Sequence, residues 1–499
     1  MSQTVRTRMA PSPTGEMHVG SFSIILKNFA LARQNHGQFI LRIEDTDKER
    51  EVPGAIERII QTIKDYGLSF DEGPLKGGAH APYVQSERLA LYRQAALELV
   101  EKGQAYYCFC SKERLEEVRA KARAEKRPPK YDRYCRNLSR AEIESKLAAG
   151  DKFVIRLKVP DDRDIIFQDL IRGEIKINSN QIDDQVLLKS DGFPTYHLAV
   201  VVDDHDMKIT HIMRGEEWLP STPKHILLYE AFGWEPPVYA HIPVYLNPDG
   251  KGKMSKRKGD VSAQSYLQKG YLPEALLNFF MILGWTPQDQ RDLVTLKEYV
   301  TEFNPSDISK KSVAFDIKKL NWLNGIYIRK LYEQGNLAHF WLAEKHHVSQ
   351  LSLEQRIARF LPSDFPYEKL AAILALVYER LERLDQVEEL SSFFYRDFAY
   401  DEEWKKLILK KADSSLISRQ VNELLIVLQD LPELTVANLE EKIRGLQEKN
   451  DYHKGQYFMM LRLAVTGRKV SPPLFESMAV LGKELVLKRL HSAILNCGA

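Results

Sequence analysis

Charge of one sign hardly outweighs the other in this chain. Its 71 lysines and arginines meet 69 aspartates and glutamates over 499 residues, a net charge of +2. That excludes a uniformly cationic coat, so any surface for nucleic acid must come from local segregation of charge. Cysteine is scarce: Cys108, Cys110, Cys135 and Cys497 are the four present. In a long intracellular chain four thiols are not expected to form a disulfide framework, and they read as metal ligands or as buried residues. No apolar run reaches the roughly 20 residues of a membrane helix. Met1–Ala10 has no apolar signal core, so a cytoplasmic protein without membrane contact is expected. Solenoid repeats and low-complexity linkers are missing too. What is present is 44% hydrophobic and 28% charged residues, the make-up of a soluble globular protein. The length is too great for one core, and about two to four domains are expected.

The hydrophobic patterning predicts a strand over 3–9, a helix over 20–35, a strand over Phe39–Ile43 and a helix over 54–66 closed by Gly67. Strand–helix alternation of this kind builds a parallel, doubly wound sheet, which binds ligands beyond the carboxyl ends of its strands. Glu44, Asp45 and Asp47 fall at such an end. From about 75 to 190 the rhythm changes: a helix over 86–102, the Tyr106–Cys110 segment, a charged stretch, then β-like residues over 152–190. This reads as an insertion between two halves of the sheet domain. Strand signals resume at Tyr196–Val202 and Ile209–Met213, followed by a helix over 220–232 and strand-like residues over 238–246. From 263 the pattern is helical, and after about 330 strand runs nearly vanish.

Two segments carry chemistry. In Pro11–Gly20, a Pro- and Gly-punctuated loop runs into a helix at His18-Val19-Gly20. A helix start offers unpaired N–H groups and the positive end of its dipole to a phosphate. Gly20 leaves room for a nucleotide, and His18 can donate a hydrogen bond as charge develops. In Asn247–Gly259, five lysines and arginines fall within the nine residues from Lys251 to Gly259. Lys253 and Lys256 are movable point charges, Arg257 is a fixed fork, and Met254 is an apolar residue suited to docking such a loop. Taken singly, the first segment also reads as a capped turn and the second as a solvated basic loop.

As a pair, in this order, the segments resemble the HIGH and KMSKS signatures of class I aminoacyl-tRNA synthetases, with Ser21 closing the first. Arg8–Ser12, Leu41–Asp47, Pro194–Ala199 and Arg214–Trp218 resemble blocks of the glutamyl-tRNA synthetases of bacterial type. The resemblance implies that His18, Lys253 and Lys256 carry the chemistry. It implies that His18, Gly20, Ser21, Met254, Ser255 and Lys256 bind ATP, accompanied by Mg2+, and that Arg8, Ala10, Ser12, Glu44, Tyr196 and Arg214 line a glutamate pocket. Arginine forks suit the two carboxylates, an acid suits the ammonium, and a site so charged rejects the neutral amide of glutamine. Val200 stands where some members have asparagine and is left out.

Many members bind zinc in the insertion. Here Cys108, Cys110 and Cys135 are joined by Tyr131, because Asn137 stands where a histidine ligand is usual. The alternative is a degenerate zinc knuckle of free or buried thiols. Between Arg119 and Arg136 lie eight lysines and arginines against Glu125 and Asp132, a basic stretch suited to RNA. Arg380 matches the position that reads the third anticodon base. The expected fold is thus α/β, a Rossmann-like doubly wound parallel sheet with an inserted α+β acceptor-binding domain and an all-α C-terminal anticodon-binding region. The expected boundaries are 1–75 and 191–260 for the sheet domain, 76–190 for the insertion, 261–330 for a helical stem-contact domain and 331–499 for the anticodon region. The implied activity is glutamate–tRNA ligation by a monomer acting on L-glutamate, ATP and tRNA(Glu). The alternatives are a form that also charges tRNA(Gln), or a glutaminyl-type enzyme.

Overall fold

The computed structural model describes residues 4–47, 50–254, 261–342, 350–410 and 413–497. They form two units, one built chiefly from the residues up to 267 with 273–319, the other chiefly from 320–338 and the remainder of the chain.

In chain order the first unit contains β1 (Arg6–Met9), α1 (Val19–Gln34), β2 (Gln38–Leu41), α2 (Ala55–Asp65), α3 (Leu89–Glu101) and β3 (Ala105–Cys108). There follow α4 (Lys112–Ala124), α5 (Arg140–Ala148), β4 (Val154–Leu157), β5 (Asp164–Asp169), β6 (Gly173–Asn178) and β7 (Val186–Leu188). Then come α6 (Tyr196–Asp206), β8 (His211–Gly215), α7 (Thr222–Phe232) and β9 (Val238–Ile242). The main sheet has the order β2-β1-β8-β9-β5-β6. Every neighbouring pair is parallel except β5 with β6, the antiparallel edge. The central strands are buried almost throughout, as strands covered on both faces must be. Helix α1 is accordingly apolar nearly all round, with Phe22, Ile25, Leu26 and Phe29 buried.

Chain direction sets the site. From β1 the chain crosses through α1 to β2 on one side, while β8 and then β9 lie on the other. The carboxyl ends of β1 and β8 therefore flank a topological switch point, where such sheets hold ligands.

Two expectations need correction. Tyr196–Val202 was expected as a strand, and it opens the helix α6. The run Leu198–Val202 is buried on every side, and a fully buried apolar run has no periodicity to separate helix from strand. The β-like stretch 152–190 was expected to lie inside the insertion, and it divides. Strands β4 and β7 join β3 in a small antiparallel sheet, whereas β5 and β6 belong to the main sheet.

The second unit is helical, with no strand among its described residues. Four of its helices, Ser414–Gln429, Val436–Lys449, Lys454–Thr466 and Lys483–Asn496, bury apolar stripes that include Leu424, Leu439, Leu461 and Leu490. Arg380 lies exposed on a short helical turn, Tyr378–Arg380.

Candidate active site

Two adjoining cavities open at the carboxyl ends of β1 and β8. The larger, about 890 Å³, is lined by Arg8, Ala10, Ser12, Glu44, Tyr196 and Arg214, together with Gln85, Lys189 and Trp218. All six residues expected around an amino acid are thus brought together. The smaller, about 360 Å³, is lined by His18, Gly20, Ser21, Lys253 and Met254, with Tyr245 and Val244. Ser21, Ile24, Gly215 and Glu217 line both. Ser255 and Lys256 lie outside the described residues.

His18 is the N-cap of α1, and its Nδ1 accepts from the Gly20 N–H at 2.9 Å. In the neutral ring that bond leaves the proton on Nε2, the nitrogen suited to donate to an anion. A Cβ at position 20 would lie 3.1 Å from His18 Nδ1 and 3.7 Å from the Tyr245 ring, so glycine there preserves both the cap and the cavity. Lys253 pairs with Glu217 at 3.2 Å, both side chains well exposed. Met254 is buried, and its N–H donates to Tyr245 O at 2.8 Å, which anchors the start of the basic loop against the cavity wall.

The larger cavity is walled by arginines in two different electrical settings. Arg8 is paired: its Nε and Nη2 reach the carboxylate of Asp204 at 3.2 and 3.4 Å. Arg42, buried beneath, donates to Asp204 at 2.7 Å and to Glu44 at 3.1 Å. Burial resists a charge on Asp204, yet Arg42 and Arg8 outweigh it and hold this carboxyl below its ordinary range. Burial raises the Glu44 carboxyl, against the pull of Arg42 and Arg8.

Arg214 is 5% exposed and has no carboxylate partner among the described residues. Its guanidinium donates to His241 Nε2 (3.1 Å), Tyr196 Oη (3.2 Å), His225 Nδ1 (3.4 Å), Thr222 Oγ1 (2.8 Å) and Trp218 O (3.5 Å). The Tyr239 ring lies 5.3 Å from its centre. His241 donates its Nδ1–H to Asp169 at 2.6 Å, so a carboxylate is present only at one remove. Burial holds His241 and His225 neutral, and the nearby Arg214 charge reinforces this. Five neutral acceptors orient the fork without cancelling its charge. A buried guanidinium in that state is costly unless an anion arrives.

Asp204, His241, Asp169 and Thr222 were not singled out from the sequence. Asp203-Asp204 at the end of a valine run, and His241 within the strand-like 238–246, are charged or titratable residues set in apolar runs, which was the available signal.

In the insertion, the Sγ atoms of Cys108, Cys110 and Cys135 lie within 4.8 Å of one another. Cys110 and Cys135 are 3.5 Å apart, and Tyr131 Oη is 3.3 Å from both Cys108 and Cys110. Asn137 sits at the end of the turn Tyr134–Asn137. Arg156, buried and with no carboxylate partner among the described residues, lies over the Tyr131 ring at 4.0 Å. The basic stretch is partly consumed internally: Arg119 and Arg123 pair with Glu116, Arg127 with Glu125, and Arg133 and Arg136 with Asp184.

A switch-point cleft with a histidine-capped helix start on one side and, on the other, a buried arginine with no carboxylate partner among the described residues is the arrangement expected of a class I synthetase catalytic domain. A family model described as tRNA synthetases class I (E and Q), catalytic domain, matches residues 4–322, and one described as an anticodon binding domain matches residues 348–494. The chain belongs to this class I, E and Q family of tRNA synthetases. It is 46% identical over 497 residues to a glutamate–tRNA ligase of Dehalococcoides mccartyi, covering 99% of this chain and 98% of that one. It is 40% identical to that of Finegoldia magna, covering 98% and 99%. A crystal structure of a glutamate tRNA ligase from Elizabethkingia meningosepticum, in complex with its amino acid, superposes with a TM-score of 0.87 at 35% identity over 99% of both chains.

Proposed function

We propose that this chain is a glutamate–tRNA ligase in which Arg214 selects the carboxylate. One observation carries the reading: a buried guanidinium held by five neutral groups faces a cavity lined by Arg8, Glu44 and Tyr196. A glutamate side-chain carboxylate is the counter-ion that this arrangement lacks, and Glu44 is suited to its ammonium. The α-carboxylate oxygen then attacks the α-phosphorus of ATP, and the α–β bridging bond breaks with pyrophosphate as leaving group. His18 Nε2–H, the N-terminus of α1 and Lys253 face that charge, with Ser255 and Lys256 assigned to the same task. Mg2+ accompanies the nucleotide and neutralises its phosphates. In the second step a ribose hydroxyl at the 3′ end of tRNA(Glu) attacks the acyl carbon, and AMP leaves. The chain supplies orientation and charge, with no covalent intermediate on the protein. Arg380 is assigned to the anticodon, and the lysines and arginines of 119–136 not spent on internal pairs to the acceptor end.

Zinc fits the cysteine cluster. A tetrahedral site with bonds of about 2.3 Å sets its sulfurs about 3.8 Å apart, against 3.5 Å between Cys110 and Cys135 and at most 4.8 Å for the other pairs, and Tyr131 Oη can complete the set. Such a metal would tie the strand and the turn of the insertion together. The metal content of untagged protein tests it: one equivalent of zinc is expected, and less than a tenth ends the assignment.

Aminoacylation of purified tRNA(Glu) and tRNA(Gln) with each amino acid tests the whole reading. Charging of tRNA(Glu) by glutamate alone is expected; charging by glutamine would refute it. Charging of tRNA(Gln) by glutamate would mark the less selective form.

A further inference from the structure

Lys27 lies on α1, two turns beyond the helix start, and its side chain is fully buried. Its Nζ donates to Ser23 Oγ at 2.8 Å, Tyr245 Oη at 3.3 Å and Phe280 O at 3.4 Å. Three neutral oxygens match the three N–H groups of an ammonium. No carboxylate pairs with it among the described residues. The setting is unusual in this unit, where the buried Arg6 pairs with Glu72, Arg8 and Arg42 with Asp204, and Arg88 with Asp203. Among the described residues of this unit, the buried cations with no carboxylate partner are Arg214 at the amino-acid cavity, Arg156 against the cysteine cluster, and Lys27.

Lys27 sits behind the smaller cavity. Tyr245, whose hydroxyl it holds, lines that cavity together with Gly20 and Ile24 of the same helix. Long side chains on a helix lean toward its N-terminus, and the bond to Ser23 brings the ammonium a turn nearer Gly20. Its charge therefore adds to the positive end of the α1 dipole, where a polyanion would lie. A buried charge without a counter-ion lowers the stability of the free protein, and a bound anion offsets that cost.

We propose that Lys27 is a positioning residue for the nucleotide: a buried cation behind Tyr245 that draws the triphosphate into the smaller cavity without touching it. This rests on the reading of that cavity as the ATP site. The field of such a charge acts on phosphates and leaves the nucleoside unaffected, whereas a merely structural lysine would disturb both alike.

The test measures binding of ATP, and of adenosine by competition, to the full-length protein, with melting temperatures alongside. Lys27→Met should weaken ATP by about tenfold or more, leave adenosine within about twofold, and leave the melting temperature level or higher, because the methionine removes a buried charge. Exchanging the two neighbours, Ser23→Lys with Lys27→Ser, keeps one ammonium on the same helix face and should restore most of the ATP affinity. Wild-type ATP affinity in Lys27→Met, equal losses for ATP and adenosine, or a variant that no longer folds would each overturn the proposal. Wild-type protein that binds neither ligand would instead overturn the nucleotide reading beneath it.

Discussion

The two arginine walls of the larger cavity differ in what faces them. Arg8 meets a carboxylate, Asp204, shared with Arg42. Arg214 meets only neutral acceptors, with Asp169 one residue behind His241. Coulomb's law makes the first wall a nearly closed account of charge and leaves the second open. Arg8 can therefore orient a ligand but has little net charge to offer, and in the function proposed above carboxylate selection falls to Arg214. The same difference predicts unequal effects on stability. Removing a member of a closed buried pair strands its charged partner, whereas removing Arg214 takes a donor from neutral acceptors and strands no opposite charge.

The largest effect should follow Arg214→Gln. Loss of a charge-assisted contact to the substrate carboxylate should raise the glutamate requirement by about 100- to 1,000-fold, with the ATP requirement changed only a few-fold. Discrimination against glutamine should collapse with it. Steady-state kinetics for the two substrates decide the matter; equal changes in both would remove Arg214 from the amino-acid wall.

Arg8→Met sharpens the contrast from the other side. It leaves Asp204 buried with Arg42 alone and should destabilise the fold by about 3 kcal/mol, read by urea unfolding, while Arg214→Gln, which strands no charge, should cost distinctly less. Equal destabilisation of the two variants would erase the distinction between the walls.

Asp169→Asn acts at one remove. It keeps the shape but weakens the hold on the His241 tautomer that presents Nε2 to Arg214. The glutamate requirement should rise by about tenfold, the low end of what one charge-assisted hydrogen bond contributes, with the ATP requirement unmoved. An unchanged glutamate requirement would reduce Asp169 to a support for the strand end.

What was legible in the sequence follows the same division. Local chemistry could be read: the loop-to-helix turn at His18, the acid at the end of β2 and the helical tail all rest on spacing, capping and periodicity. All six expected amino-acid residues line one cavity. What could not be read is long-range. Asp204 serves Arg8 across 196 positions, and Asp169 serves His241 across 72, and no pattern along the chain encodes such pairings. The valine run ahead of Asp203 was misassigned for a related reason, since a helix buried all round loses its polar face. Lys27 escaped notice because a lysine in a helix reads from the sequence as solvent-facing, while here it is buried.

A last contrast is a pH dependence confined to the open wall. His197 accepts from His225 at 3.1 Å, and burial, helped by Lys224 and Arg214, lowers it from its ordinary 6.5 to about 3. A folded-state value below the unfolded one means that the unfolded chain takes up a proton the native state refuses. The stability held by this neutral ring is therefore complete above pH 6.5 and is lost as the pH falls toward 3. The loss should be about 1.4 kcal/mol per pH unit, or about 2 kcal/mol by pH 5. Asp204 on the closed wall is lowered from 3.8, so its contribution persists above that value and begins to fail only below it. Glu44, raised by burial, works in the opposite sense, but it is common to wild type and variant and cancels between them. Urea unfolding at pH 7 and pH 5 should therefore show wild type losing about 2 kcal/mol more than His197→Asn. Identical losses would mean that this histidine protonates within the fold, and the wall around Arg214 would then carry more positive charge in acid than its neutral acceptors imply.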